Sequence, residues 1–89
     1  MSDILIVDDE KDIRELISEI LIDEGFSTRL ASNSVECLKQ ISSARPSLLI
    51  LDIWLKDSNM DGIDILKKVK VDYPQVPVVI ISGHGNIEI

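Results

Sequence analysis

The sequence predicts a doubly wound α/β domain, and three observations carry that prediction. Short runs of purely apolar residues, "ILIV" at 4–7, "LLIL" at 48–51 and "VVII" at 78–81, read as strands covered on both faces. Between them lie stretches with apolar residues three and four apart, the pattern of amphipathic helices. The resulting β-α-β-α-β-α-β order needs crossover connections, which are right-handed and put helices on both faces of a parallel sheet.

Each element has its own signal. The first strand, 3–8, runs directly into the acidic stretch "DDE". Ile13, Leu16, Ile17, Ile20 and Leu21 then form one helical stripe, and Gly25 stands where a helix C-terminus ends. "FSTRLA" is a shorter, more polar strand. Asn33 with Glu36 three positions on predicts a capping box for a second helix that turns Val35, Leu38 and Ile41 inward, with Pro46 beyond it. "LLILD" is a fully apolar strand ending in an acid, and "IWLKDSNMDG" is a loop leading to a helix with Ile63, Leu66 and Val69. "YPQVP" breaks that helix, "VVIIS" is the fourth strand, and "GHGN" is a flexible exit around His84.

Composition narrows the function. With 89 residues the chain makes one domain with a modest core. Nine Lys and Arg against sixteen Asp and Glu give a net charge of −7, so no nucleic-acid footprint is expected. The apolar runs are far shorter than the ~20 residues that cross a bilayer, and "MSDILIV" lacks the pattern of a secretory signal. A soluble, cytoplasmic protein is expected. Cys37 has no second cysteine to pair with and reads as a small side chain within a helix.

Ligands of doubly wound sheets bind beyond the carboxyl ends of the strands, where the strand order reverses. Asp8 and Asp9 follow the first strand, Asp52 ends the third and Ser82 ends the fourth, so these four side chains are expected at one sheet edge. A group of carboxylates in one crevice is tolerable if a divalent cation sits among them, and hard oxygen ligands with room for water suit Mg²⁺. A metal beside an aspartate also prepares that aspartate to attack a phosphoryl group. Asp52, alone at its strand end, is the candidate nucleophile, while Ser82 is placed to donate a hydrogen bond to the product and move the loop behind it. Read alone, Asp8 and Asp9 would pass for a helix cap. Glu10 reads as an acid at a helix start, Asp61 and Gly62 as a turn and helix start, the Trp54 ring as loop packing and His84 as exposed.

The motifs "ILIVDDE", "LLILDIWL…DG" and "VVIISGHG" resemble the receiver domain of two-component response regulators over essentially the whole chain. The resemblance implies a flavodoxin-like (CheY-like) parallel sheet of strand order 2-1-3-4, with Asp52 as phosphoacceptor and Asp8 and Asp9 as the acidic pair for Mg²⁺. It further implies the backbone carbonyl of Trp54 as a metal ligand, Ser82 as the hydroxyl switch, and a sensor histidine kinase as phosphodonor. The loop "KDSNM" is longer than in many receivers and lacks their proline; with "DIWL" and "SGHGNIE" it is similar to NtrX-type nitrogen-regulation receivers, whose full-length proteins activate sigma-54 transcription through an output domain.

The family pattern continues with a fourth helix, a fifth strand carrying a lysine and a fifth helix, so residues 1–89 are expected to be a receiver truncated after strand four. "VPVVII" would then be an apolar edge, and self-association through it or by segment exchange is expected. Three other functions compete. A haloacid dehalogenase-type hydrolase wants Asp-x-Asp after strand one, where this chain has Asp8-Asp9-Glu10. An FMN binder wants a hydroxyl- and glycine-rich phosphate loop there, where carboxylates would repel the phosphate. A phosphorylation-independent dimerisation module would keep the acids but signal through association.

Overall fold

The computed structural model describes residues 3–53, 55, 61–81 and 87–88. The elements are β1 (Asp3–Val7), α1 (Lys11–Asp23), β2 (Ser27–Ala31), α2 (Ser34–Ser43), β3 (Leu48–Asp52), α3 (Gly62–Asp72), β4 (Val78–Ile81) and β5 (Ile87–Glu88). They build one sheet in the order β2-β1-β3-β4-β5. The pairs β1–β2, β1–β3 and β3–β4 are parallel, as the crossover spacing requires. The chain leaves β1 for β2 on one side and returns for β3 on the other, so the order reverses between β1 and β3.

The strand order 2-1-3-4 is as expected, with one addition. β5 pairs antiparallel with β4, Ile80 opposite Glu88 and Ile81 opposite Ile87. The expectation of a bare β4 edge is corrected there: a hydrogen-bonded neighbour from the same chain occupies its carboxyl-terminal half, which weakens the case for self-association through that edge.

Alternation along the strands sorts the side chains onto two faces. Leu5, Val7, Leu49, Leu51 and Val78 point one way and pack against Cys37 and Ile41 of α2 and Ile65 and Val69 of α3, the main core. On the opposite face Ile4 and Ile6 are buried, and the Thr28 hydroxyl meets that of Ser18 at 2.7 Å, fixing α1 against β2.

The helices differ from their expected stripes. On α1, Leu16 and Ile20 are each 54% exposed and Ile13 is also exposed, while Ser18 is buried. The reason lies in the layering: α1 is the one described helix on its face of the sheet, so only the flank turned to β1 and β2 finds a partner. On α2 the inner face is Ser34, Cys37 and Ile41, and the expected Val35 is exposed. On α3 it is Gly62, Ile65 and Val69, with Ile63 exposed and Leu66 packed against the core margin.

Caps follow the sequence closely. Gly25, with φ of +95°, ends α1, and the Phe26 N–H reaches back to the Leu21 carbonyl at 3.0 Å while that of Gly25 reaches Ile22 at 2.9 Å, a Schellman closure. Asn33 accepts from the Glu36 N–H at 2.9 Å, and Glu36 returns the contact to the Ser32 N–H, one residue earlier than a capping box requires. Arg29 of β2 ties three elements: it forms a bidentate pair with Asp3 (2.7 and 3.2 Å) and donates to the carbonyls of Gln40 and Ala44 at the end of α2.

Candidate functional site

The site stands at the reversal point. β1 and β3 are neighbours with Val7 opposite Leu51, so Asp8 and Asp52 leave the same sheet edge side by side. Two bonds fix the backbone of Asp8: its N–H donates to the Ala31 carbonyl at 3.2 Å, extending the β1–β2 ladder by one residue, and its carbonyl accepts from Arg14 Nη1 at 2.8 Å. Its carboxylate accepts from the Glu10 N–H at 2.8 Å, an Asx turn that bends the chain toward α1. Glu10 is the N-cap of α1, yet its side chain makes no capping bond. The N-cap position of α1 thus falls on Glu10 and not on Asp8 or Asp9.

Asp8 and Asp52 are 4% and 5% exposed, and Asp9 is half-buried. One carboxylate oxygen from each of Asp8, Asp9 and Asp52 lies within 4.8 Å of the others. A single cation with oxygen ligands at ~2.1–2.5 Å spans such a separation. The electrostatics agree with that chemistry. The Asp8 carboxyl is pushed up from 3.8 to about 6, chiefly by burial and then by the charges of Asp52, Asp9 and Glu10, against the opposing pull of the Glu10 N–H. Three carboxylates that share one small space, one of them with its ionisation opposed by burial and by its acidic neighbours, fit a divalent, oxygen-seeking ion such as Mg²⁺.

β4 ends beside β3: Ile81 pairs with Asp52, and the Ile53 N–H donates to the Ile81 carbonyl at 3.1 Å. Ser82 follows Ile81 in the chain; it lies outside the described residues, as do Trp54 and His84. Asp61 is the N-cap of α3, its carboxylate accepting from the Asp64 N–H at 2.9 Å, in keeping with its reading as a turn and helix start. Reasoning from the sequence missed Arg14. Its signal was available, because a helical side chain leans toward the N-terminus and a residue in the first turn of α1 reaches back over the acidic loop.

Residues 4–89 match the family described as the response regulator receiver domain. The chain belongs to the response regulator receiver domain family. Among receivers, it is 55% identical over 86 residues to the nitrogen assimilation regulatory protein NtrX of Azorhizobium caulinodans, covering 97% of this chain and 19% of that one. It is 40% identical to the sporulation initiation phosphotransferase F of Bacillus subtilis, covering 96% of this chain and 67% of that one. The crystal structure of the receiver domain of NtrX from Brucella abortus superposes with a TM-score of 0.90 at 51% identity, covering 94% of this chain and 70% of that one. The receiver thus spans about a fifth of the length of the NtrX relatives it matches. Receiver domains are signalling domains, and the dehalogenase-type and FMN-binding alternatives find no support. No helix among the described residues is long and apolar enough to cross a membrane.

Proposed function

We propose that this receiver accepts a phosphoryl group on Asp52 from the phosphohistidine of a partner sensor kinase. One observation carries the reading: carboxylates from two adjacent parallel strands meet within 4.8 Å at the point where the strand order reverses. A carboxylate oxygen of Asp52 attacks phosphorus, the P–N bond to the donor imidazole breaks, and the imidazole nitrogen leaves with the electron pair.

Asp8, Asp9 and Asp52, with the backbone carbonyl of Trp54, would hold Mg²⁺. When bound, the ion supplies positive charge against the phosphoryl oxygens. Asp8 and Asp9, adjacent in the chain, would share the metal, and an Asp52 oxygen would remain for the incoming group. The Ser82 hydroxyl donates to the phosphorylated product, and the segment after it carries the change to an output surface. The likeness to NtrX supports an output domain that regulates transcription, of the sigma-54 activator kind, with DNA contacted by that domain and not by this acidic one. A cytoplasmic location accords with that role.

Intact-mass measurement after treatment with acetyl phosphate and Mg²⁺ tests the assignment. The protein is expected to gain one phosphoryl group and Asp52→Ala none. Equal incorporation by both would overturn Asp52 as acceptor, and incorporation that survives chelation of divalent ions would overturn the metal assignment.

A further inference from the structure

We propose that Gly62 is a positioning residue for the acceptor carboxylate, its missing side chain being the space into which the backbone of Asp52 and Ile53 is set; this rests on the assignment of Asp52 above. Gly62 is buried, and its N–H donates to the Ile53 carbonyl at 2.9 Å, so the first residue of α3 is bonded to the residue after the acceptor although nine positions separate them. A β-carbon at position 62 would lie 2.6 Å from the Ile53 Cα, 3.0 Å from the Asp52 carbonyl carbon and closer still to the Asp52 carbonyl oxygen. All three obstacles are main-chain atoms. None is the far end of a side chain that could swing aside, so a larger residue must displace either α3 or the end of β3.

α3 resists displacement, because Ile65 and Val69 are fully buried beneath it and Asp61 caps its first turn. β3 is held by ladders to β1 and β4 up to Asp52. The strain of a substitution therefore falls on the junction at Asp52–Ile53, the backbone that aims the acceptor. Clearing the contact takes a movement on the order of 1 Å, enough to spoil a geometry in which three carboxylates share one ion. The opposite case within the same chain is Gly25, where a β-carbon would meet nothing within 4 Å and the positive φ alone demands glycine. Gly62 is constrained by its neighbours, and those neighbours are the acceptor's own backbone.

Calorimetric titration with Mg²⁺ alone, on the protein, Gly62→Ala and Val69→Ala, tests the inference. Val69→Ala loosens α3 from the core without adding an atom near Asp52. Gly62→Ala is expected to bind Mg²⁺ about 10- to 100-fold more weakly, and Val69→Ala close to wild type even where its melting temperature falls further. Equal Mg²⁺ affinity in Gly62→Ala and wild type, or losses that track melting temperature in both variants, would overturn the proposal. Should Gly62→Ala not fold, amide spectra of the wild-type protein during the same titration decide: the Gly62 resonance is expected to shift with that of Ile53 at one midpoint, and a Gly62 signal that stays still while Ile53 moves refutes the coupling. A wild-type protein that binds no Mg²⁺ would instead overturn the metal assignment, and this inference with it.

Discussion

Replacing Asp8 by asparagine isolates the energetic cost of the acid cluster. Asparagine keeps the oxygen that accepts the Glu10 N–H and the volume that is 4% exposed, and it removes only the charge. Folding pushes the Asp8 carboxyl from 3.8 to about 6. At about 1.4 kcal/mol for each tenfold change in proton affinity, a charged Asp8 costs the metal-free fold on the order of 3 kcal/mol. The sign follows from which state holds the proton more tightly. Below about pH 4 the carboxyl is protonated folded or unfolded, and the penalty is absent. Between about 4 and 6 the unfolded chain releases its proton first, so stability falls as pH rises, and above about 6 the whole penalty is present. Asp8→Asn is therefore expected to be the more stable protein at pH 7.5 in chelator, by up to about 3 kcal/mol, and the gap should close toward pH 4.5. On the proposed metal assignment, added Mg²⁺ is expected to reverse the ranking, since it would stabilise the wild type by mass action and would lack one ligand in the variant. Urea unfolding at a series of pH values, with and without Mg²⁺, reads all three effects. A gap of the same size at pH 4.5 and 7.5 would refute the attribution to charge and burial.

Three further outcomes follow from the same structure. Arg29→Ala should lower stability by about 2–3 kcal/mol in chemical unfolding, because it removes a bidentate ion pair to Asp3 and two bonds to the terminal carbonyls of α2; Arg29→Lys should recover only part. Gly25→Ala should cost about 1–2 kcal/mol through its φ of +95° alone, with Mg²⁺ affinity unchanged. The Cys37 thiol, pushed up to about 12 by burial in the α2 face, should resist iodoacetamide at pH 8 in the folded protein and react once urea exposes it.

Much of this fold and site was legible in the residues, and what was missed has one physical origin. Apolar runs marked β1, β3 and β4 because strands covered on both faces carry no alternation to confuse with anything else. The acid cup followed, since topology alone puts the carboxyl ends of β1 and β3 together. Caps were legible too: Gly25 and Asn33 act through their own backbone and near neighbours. The inward faces of the helices were harder, because periodicity identifies a stripe and not the layer that covers it. Leu16 and Ile20 continue the apolar pattern of α1, yet whether they are buried depends on what lies beyond β1 on that face. Val35 and Cys37 compete for the inside of α2, and the smaller thiol wins because Ile41 must sit on the same side. Arg14 and Gly62 escaped for a related reason. Each acts on a backbone atom, Arg14 on the Asp8 carbonyl and Gly62 on the Ile53 carbonyl, and such contacts leave no compositional trace.

The two faces of the sheet stand in unequal relation to the site. The carboxylates of Asp8 and Asp52 extend strands whose inner residues, Leu5, Val7, Leu49 and Leu51, are fully buried against α2 and α3. Gly62 belongs to that same closed layer. The backbone that carries Asp52 is thus set in a closed, fully buried layer that has little room to relax. α1, with its exposed outer stripe, touches the site through Arg14 and the Asx turn at Asp8. A perturbation of α1 at Arg14 should therefore reach Asp8 before it reaches Asp52, and one at Gly62, where α3 meets the Asp52–Ile53 backbone, should do the reverse. The acid pair proposed to hold the metal and the acid proposed to take the phosphoryl group are steadied from opposite faces of the sheet, and they meet at its edge.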